Sequence, residues 1–184
     1  MSDAGASAVA LVGVGSNIEP ERNIAAALEI LVTMVSVTQS STFYRTGAIG
    51  RPDQPDFING VWQIETSMSP SQVKFEVLRR IEEQLGRTRT DDKFAPRTLD
   101  LDLLLYNDTV THGNTLTLPH CDLERPFIYV PTLELLEQMS NGPRRALAAK
   151  MKALLPSPAP SGEPGRPLGD FTRQLRRLLQ SSVV

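Results

Sequence analysis

Residues 8–15 (AVALVGVG) are apolar without interruption and end in glycine, the pattern of a buried strand. The turn SNIEPERN follows. Pro20 and Glu21 suit the first turn of a helix whose inner face carries Ile24, Leu28 and Leu31. Residues 35–46 (VSVTQSSTFYRT) alternate and are rich in β-branched side chains, which predicts a second strand. Glycine and proline exclude a helix from 47–56 (GAIGRPDQPD), and 57–67 (FINGVWQIETS) reads as a third strand. Ser69-Pro70-Ser71-Gln72 has the form of a capping box with proline at the first helical position. The helix it opens presents Val73, Val77, Leu78, Ile81 and Leu85 on one side and stops at Gly86. After the charged loop RTRTDDKFAP, residues 96–106 (PRTLDLDLLLY) form a fourth strand. The order β-α-β-β-α-β predicts an α+β fold of ferredoxin-like type, with helices on one face of an antiparallel sheet.

Beyond this, residues 109–120 (TVTHGNTLTLPH) predict two short strands around His112-Gly113-Asn114. Helical patterns recur near 131–138 and 143–155. The stretch 156–167 (PSPAPSGEPGRP) predicts an extended linker, and LGDFTRQLRRLLQ a closing basic amphipathic helix. A single domain over 1–184 is expected, its core at about 8–138 and a helical, proline-rich tail at about 139–184.

With 19 basic against 21 acidic side chains, the chain has no global attraction for nucleic acid or anionic membranes. Any phosphate site must be local. One cysteine rules out an internal disulfide, and two histidines with one cysteine argue against structural zinc. No apolar run approaches the roughly 20 residues of a spanning helix, and no secretion signal is expected. A cytoplasmic protein is the default reading.

The fourth strand raises the chemical question. Side chains alternate along a strand, so Thr98, Asp100, Asp102 and Leu104 share one face and Leu99, Leu101, Leu103 and Leu105 the other. The two aspartates then stand about 7 Å apart at the Cα, a spacing at which both can converge on hard cations. A half-solvated strand with acidic residues on its wet face would alternate in the same way. Asp is disfavoured in strands, however, and Arg87, Arg89, Lys93 and Arg97 crowd nearby. Carboxylates for metal beside guanidinium groups for phosphate form a phosphoryl-transfer constellation. The competing reading of the arginines is a solvated loop paired with Asp91 and Asp92. Glu82 projects into the apolar arc of its helix beside Leu78 and Phe75, and Lys74 falls in the same arc. Gly13-Val14-Gly15-Ser16-Asn17-Ile18 lacks the third glycine of a dinucleotide fingerprint, and no P-loop run is present. Gly13 and Gly15 therefore point to close backbone packing.

KFAPRTLDLDLL (93–104) resembles the signature of the 6-hydroxymethyl-7,8-dihydropterin pyrophosphokinases of the folate pathway. GVGSN (13–17), STFYRTGAIG (41–50), DQPDFINGV (53–61), RRIEEQLGRTR (79–89) and LTLPH (116–120) agree in order and spacing, so the resemblance covers about 8–138. It implies transfer of the β,γ-diphosphoryl group of ATP to the pterin hydroxymethyl oxygen, releasing AMP. Asp100 and Asp102 match the family's ligands for two Mg2+ ions, and Arg87, Arg89 and Arg97 its phosphate-contacting arginines. Arg87, Arg97, Asp100 and Asp102 would form the catalytic set. Glu82, Thr117, His120 and Arg125 match positions at the nucleotide, and 86–96 a lid carrying Phe94.

For the pterin, the resemblance implies backbone contacts at Thr46, Gly47 and Ile49. Asn59 would pair with the ring edge, and Phe57 and Phe127 would stack on its two sides. Gly47 stands where the family often has proline, and Phe57 where it often has tyrosine. Between His120 and Phe127, the stretch holding Arg125, the chain is one residue shorter than usual. The implied partners are ATP and the pterin, with neither nucleic acid nor membrane, and a monomer is expected. A nucleotidyl transferase with paired carboxylates would not need Asn59 between Phe57 and Phe127. An RNA-binding sheet would display aromatics that AVALVGVG and the aspartate strand do not offer.

Overall fold

In the computed structural model, which describes residues 7–50, 53–88, 92 and 95–181, β1 (Ala8–Ser16) is buried at every position. It lies between two antiparallel partners, β4 (Phe57–Thr66) and β5 (Asp100–Tyr106). β4 also pairs with β2 (Ser36–Ser40) and β3 (Tyr44–Thr46). The order is β5-β1-β4-β3-β8, where β8 is Arg166–Pro167 and β2 sits beside β4, all antiparallel. β6 (Thr111–His112) and β7 (Thr117–Leu118) form a separate ribbon. Helices and an open antiparallel sheet make this an α+β fold.

The strand expected over 35–46 is broken at 41–43. There the Ser41 N–H donates to the Val61 carbonyl (2.9 Å) while Ser41 Oγ accepts from the Val61 N–H (2.9 Å). A hydroxyl thus replaces a ladder carbonyl, and the chain leaves the sheet. Phe43 turns inward at the break. An added Cβ on Gly60 would come within 2.6 Å of its ring, so that position admits only glycine without rearrangement.

One face of the sheet is covered by α1 (Pro20–Met34) through Ile24, Ala27, Leu28 and Leu31. A second helix, continuous over 70–84, lies on the same face. It opens as α2 (Pro70–Gln72) with a two-way capping box between Ser69 and Gln72, passes through a π-helical stretch (Val73–Leu78) and closes as α3 (Arg79–Gln84). Gly86, at φ 74°, stops it.

The other face is covered too, by α4 (Pro126–Ser140) and α5 (Arg145–Lys152), which bury Val9, Leu11, Val61, Leu104 and Leu105. The one-faced arrangement expected from the sequence is thereby corrected. An unbroken apolar β1 buries Ala10, Val12 and Val14 on one side and Val9 and Leu11 on the other, so both sides need a cover. α4 begins at Pro126, well before the predicted 131. Burial of Ile128, Leu135, Leu136 and Met139 outweighs the one hydrogen bond that the internal Pro131 cannot make.

Alternation in β5 also fails at one point. Val12 faces Leu103 while Leu11 faces Leu105, so Leu104 is the extra residue of a bulge. Leu99, Leu101 and Leu103 enter the first core, whereas Leu104 and Leu105 both enter the second.

The segment after 138 is built into these layers. α5 joins the second core, β8 extends the sheet, and α6 (Gly169–Ser181) adds Phe171, Leu175 and Leu179 to the first. Glu134 of α4 accepts hydrogen bonds from the Thr42 N–H and Arg176 Nη2, both at 2.9 Å. Among the described residues no helix is long and apolar enough to cross a membrane.

Candidate active site

α4 and α5 cover only part of the second face. Where they stop, apolar residues give way to glycine and polar side chains. Asp100 pairs with Gly15, which pairs with Asn59, so these three form one row across β5, β1 and β4. Neighbouring strands lie about 4.8 Å apart, which sets Asp100 and Asn59 about 10 Å apart at the Cα. A cleft of about 560 Å³ opens over this row. Thr46, Gly47, Ile49, Phe57 and Asn59 line it on the β3–β4 side. Glu82, Arg87, Arg97, Asp100 and Asp102 line it toward β5, with Arg125 and Phe127 also in the wall.

Glycine makes the floor possible. An added Cβ on Gly15 would stand 2.8 Å from Asn59 Oδ1, and one on Gly13 would stand 3.2 Å from Leu104 Cδ2. Asn59 is almost fully buried, and its Nδ2 donates to Thr46 Oγ1 at 2.8 Å. Ser16 and Asn17 fix the approach to β5. Ser16 Oγ donates to the Thr98 carbonyl (2.6 Å), and Asn17 Oδ1 accepts from the Arg97 N–H (2.7 Å). Asn17 Nδ2 also donates to the Pro55 carbonyl (3.3 Å), so one side chain ties both rims of the cleft. This is the structural content of GVGSN, and its strut residues were not marked as functional by sequence.

Charge is arranged unevenly. Glu82 is 2% exposed, and its Oε1 accepts from the Leu101 N–H (2.9 Å) and Arg87 Nη1 (3.1 Å). Arg87 Nη1 also donates to the Leu99 carbonyl (2.7 Å) and to Asp100 Oδ1, while Arg97 donates to Asp100 Oδ2. Asp100 is therefore held between two guanidinium groups. Asp102 has no such clamp among the described residues: His120 Nε2 stands 3.7 Å from its Oδ1. Burial first, then the charges of Asp100, Asp122 and Glu82, push its pKa up to about 7, against the pull of Arg87.

His120 Nδ1 accepts from the Asp122 N–H (3.3 Å), which turns Nε2 toward Asp102. Burial lowers the His120 pKa, keeping the ring neutral. Asp122 pairs with Arg125 (3.0 Å), whose guanidinium lies 6.0 Å from the centre of the Phe127 ring.

The donor chemistry fits a hard cation. Asp100 and Asp102 present oxygen ligands from one strand face, and the raised pKa of Asp102 marks a carboxylate short of positive charge. The donors of His120, Cys121 and Asp122 lie within 4.8 Å of one another, but Asp122 is engaged by Arg125 and His120 Nδ1 by a backbone N–H.

Of the described residues given a site role by sequence, the cleft gathers all but two. Thr117 is exposed on β7 and does not line it. His120 stands behind Asp102. Arg89 lies outside the described residues, as do Lys93 and Phe94. Sequence reasoning passed over Arg79, Gln54 and Asp122, which do line the cleft, as does Lys74. Lys74 had left a signal in its place in the same helical arc as Glu82, and Gln54 and Arg79 fell inside the matched stretches 53–61 and 79–89 without being given a role.

Comparison with known proteins converges on one family. The profile described as 7,8-dihydro-6-hydroxymethylpterin-pyrophosphokinase matches residues 11–137. A Haemophilus influenzae protein named 2-amino-4-hydroxy-6-hydroxymethyldihydropteridine pyrophosphokinase is 37% identical over 134 residues, covering 71% of this chain and 82% of its own. Proteins of the same name from Synechocystis and Bacillus subtilis are 42% identical over 130 residues and 36% over 137. These alignments cover 68% and 72% of this chain, and 65% and 81% of theirs.

Proposed function

Because the chain belongs to the 7,8-dihydro-6-hydroxymethylpterin-pyrophosphokinase family, we propose that it transfers the β,γ-diphosphoryl group of ATP to the hydroxymethyl oxygen of 6-hydroxymethyl-7,8-dihydropterin. AMP is the second product, and the step serves folate biosynthesis. The observation that carries this reading is the division of one cleft. Asp100, Asp102, Arg87 and Arg97 gather toward β5, while Asn59, Phe57, Thr46 and Gly47 gather toward β3, with Phe127 in the wall. The scaffold is a ferredoxin-like sheet widened at its edge by β8, in a single domain.

The pterin enters between Phe57 and Phe127, which stack on its faces. Asn59 offers amide donor and acceptor to the pyrimidine-like edge, and its Nδ2 is already oriented by Thr46. Backbone groups of Thr46, Gly47 and Ile49 complete that edge. Arg87 and Arg97 bind phosphate oxygens through charge-assisted bonds. Arg89 and Arg125 add to this set. Arg97 reaches the phosphates by exchanging its contact with Asp100, while Glu82 keeps Arg87 fixed from behind. The neutral His120 donates from Nε2, and Thr117, exposed on β7 outside the cleft, would meet the adenosine only where the nucleotide extends beyond the cleft.

Asp100 and Asp102 would hold two Mg2+ ions, which supply charge neutralisation and alignment at the phosphates when bound. The residues' own work is to bring the hydroxymethyl oxygen in line with the β-phosphorus and to exclude water from it. The protein acts as a cytoplasmic monomer, with its two substrates as partners and neither nucleic acid nor membrane.

Purified protein should form AMP from ATP only when the pterin and Mg2+ are both present. Formation of ADP, or no turnover dependent on the pterin, overturns the reading. Asp100→Ala and Asp102→Ala should each abolish turnover with the circular dichroism spectrum retained; near-normal rates in both would remove the metal assignment.

A further inference from the structure

The last part of the chain returns to the strand that carries the pterin wall. Arg166 pairs with Arg45 and Pro167 with Tyr44, and the Leu168 N–H donates to the Phe43 carbonyl (2.8 Å). Thr172 Oγ1 then accepts from the Phe43 N–H (3.0 Å). At the start of this strap Gly165 takes φ +103°, and an added Cβ there would collide with the Arg45 carbonyl oxygen and stand 2.7 Å from Thr46 Cγ2. The Thr46 methyl therefore lies against the bare Cα of Gly165. Thr46 is β-branched, so placing its methyl also places its hydroxyl. That hydroxyl meets Asn59 Nδ2 at 2.8 Å, and the opposite end of the same amide rests on Gly15.

We propose that Gly165 is a positioning residue for the pterin site. It acts through Thr46 to set the rotation of the Asn59 amide, so that the tail after 138 serves substrate recognition from behind the cleft wall. This rests on the pterin reading of Asn59. Gly165 touches neither substrate in this account. Its influence travels through two side chains, and it reaches the end of the cleft formed by β3 and β4 without reaching Arg87, Arg97 or the aspartates.

The test uses the full chain and steady-state AMP formation with each substrate varied in turn. Gly165→Ala should raise the KM for the pterin roughly five- to tenfold, the range for one misplaced hydrogen bond, with the KM for ATP unchanged. Thr46→Ser is the variant that keeps the fold safe. It retains the hydroxyl but removes the methyl that rests on Gly165, so it should raise the pterin KM in the same direction. In a Thr46→Val background, which lacks the hydroxyl, Gly165→Ala should add nothing further. A neutral Thr46→Ser variant, a parallel rise in both KM values, or full additivity of Gly165→Ala with Thr46→Val each overturns the inference while leaving the functional reading intact. Absence of pterin-dependent turnover in the unmodified chain instead removes the functional reading, and this inference with it.

Discussion

Asp102→Asn should make the metal-free protein more stable at pH 8 while destroying its activity. In the fold the Asp102 carboxyl titrates at about 7, against 3.8 for an unperturbed aspartate. Between those values the folded chain keeps a proton that the unfolded chain has released. Stability therefore falls as pH rises from about 4 to about 7. At about 1.4 kcal/mol for each tenfold change in proton affinity, the ceiling is roughly 4 kcal/mol. The side chain is 31% exposed at the cleft mouth, and water screening there brings the expected gain to roughly 1–2 kcal/mol. Asparagine keeps the shape and sheds the charge. For a chain of this length the melting temperature should rise by about 2–8 °C at pH 8. The gain should shrink as pH falls below about 7 and vanish only below about 4, where the carboxyl is protonated in the folded and the unfolded chain alike. Thermal melts in chelator from about pH 4 to about pH 8 measure this directly. Added Mg2+ should then raise the melting point of the parent well above its effect on the variant. A variant that melts lower at pH 8, or a gain that ignores pH, would refute the reasoning about Asp102.

Glu82→Ala removes the partner of the Arg87 guanidinium and of the Leu101 N–H in a nearly dry site, and should cost roughly 3–5 kcal/mol in urea denaturation. Glu82→Gln keeps the Leu101 bond and should lose less; equal losses would show that the charge facing Arg87 carries the whole effect and the Leu101 bond none. Gly15→Ala brings a methyl to within 2.8 Å of Asn59 Oδ1, so calorimetry should show weakened pterin binding with binding of an ATP analogue retained. Thr132 is fully buried and its Oγ1 has no hydrogen-bond partner among the described residues. Thr132→Val should therefore stabilise by about 1 kcal/mol, read as a higher urea midpoint.

Much of the site was legible because its residues break local rules. Two aspartates in a leucine strand and a glutamate in an apolar helical arc each need a reason that packing alone does not give, while the glycines of GVGSN read only as close backbone packing. The capping box at Ser69 and the stop at Gly86 were legible because cap chemistry is local. What escaped depends on contacts made elsewhere. The bulge at Leu104 sits in a run of leucines with no glycine to mark it, and only pairing with Leu11 and Val12 reveals it. Val73–Leu78 has no composition that distinguishes a π turn from an α turn. The second helical cover was missed because α4 and α5 come after the βαββαβ order is complete, so their place on the sheet is set by long-range burial. The tail looked detached because its proline-rich stretch hides a two-residue strand whose partner lies more than a hundred residues earlier.

Glu134 carries a consequence for how the molecule comes apart. Its helix brings Phe127 to the cleft, while its carboxylate grips Thr42 at the break beside β2 and Arg176 near the chain's end. The grip passes around the margin of the sheet and buckles one helical layer to the other. Heating should therefore find a single cooperative unit: the cleft wall that carries Phe127 and the final helix let go together, in one transition rather than two.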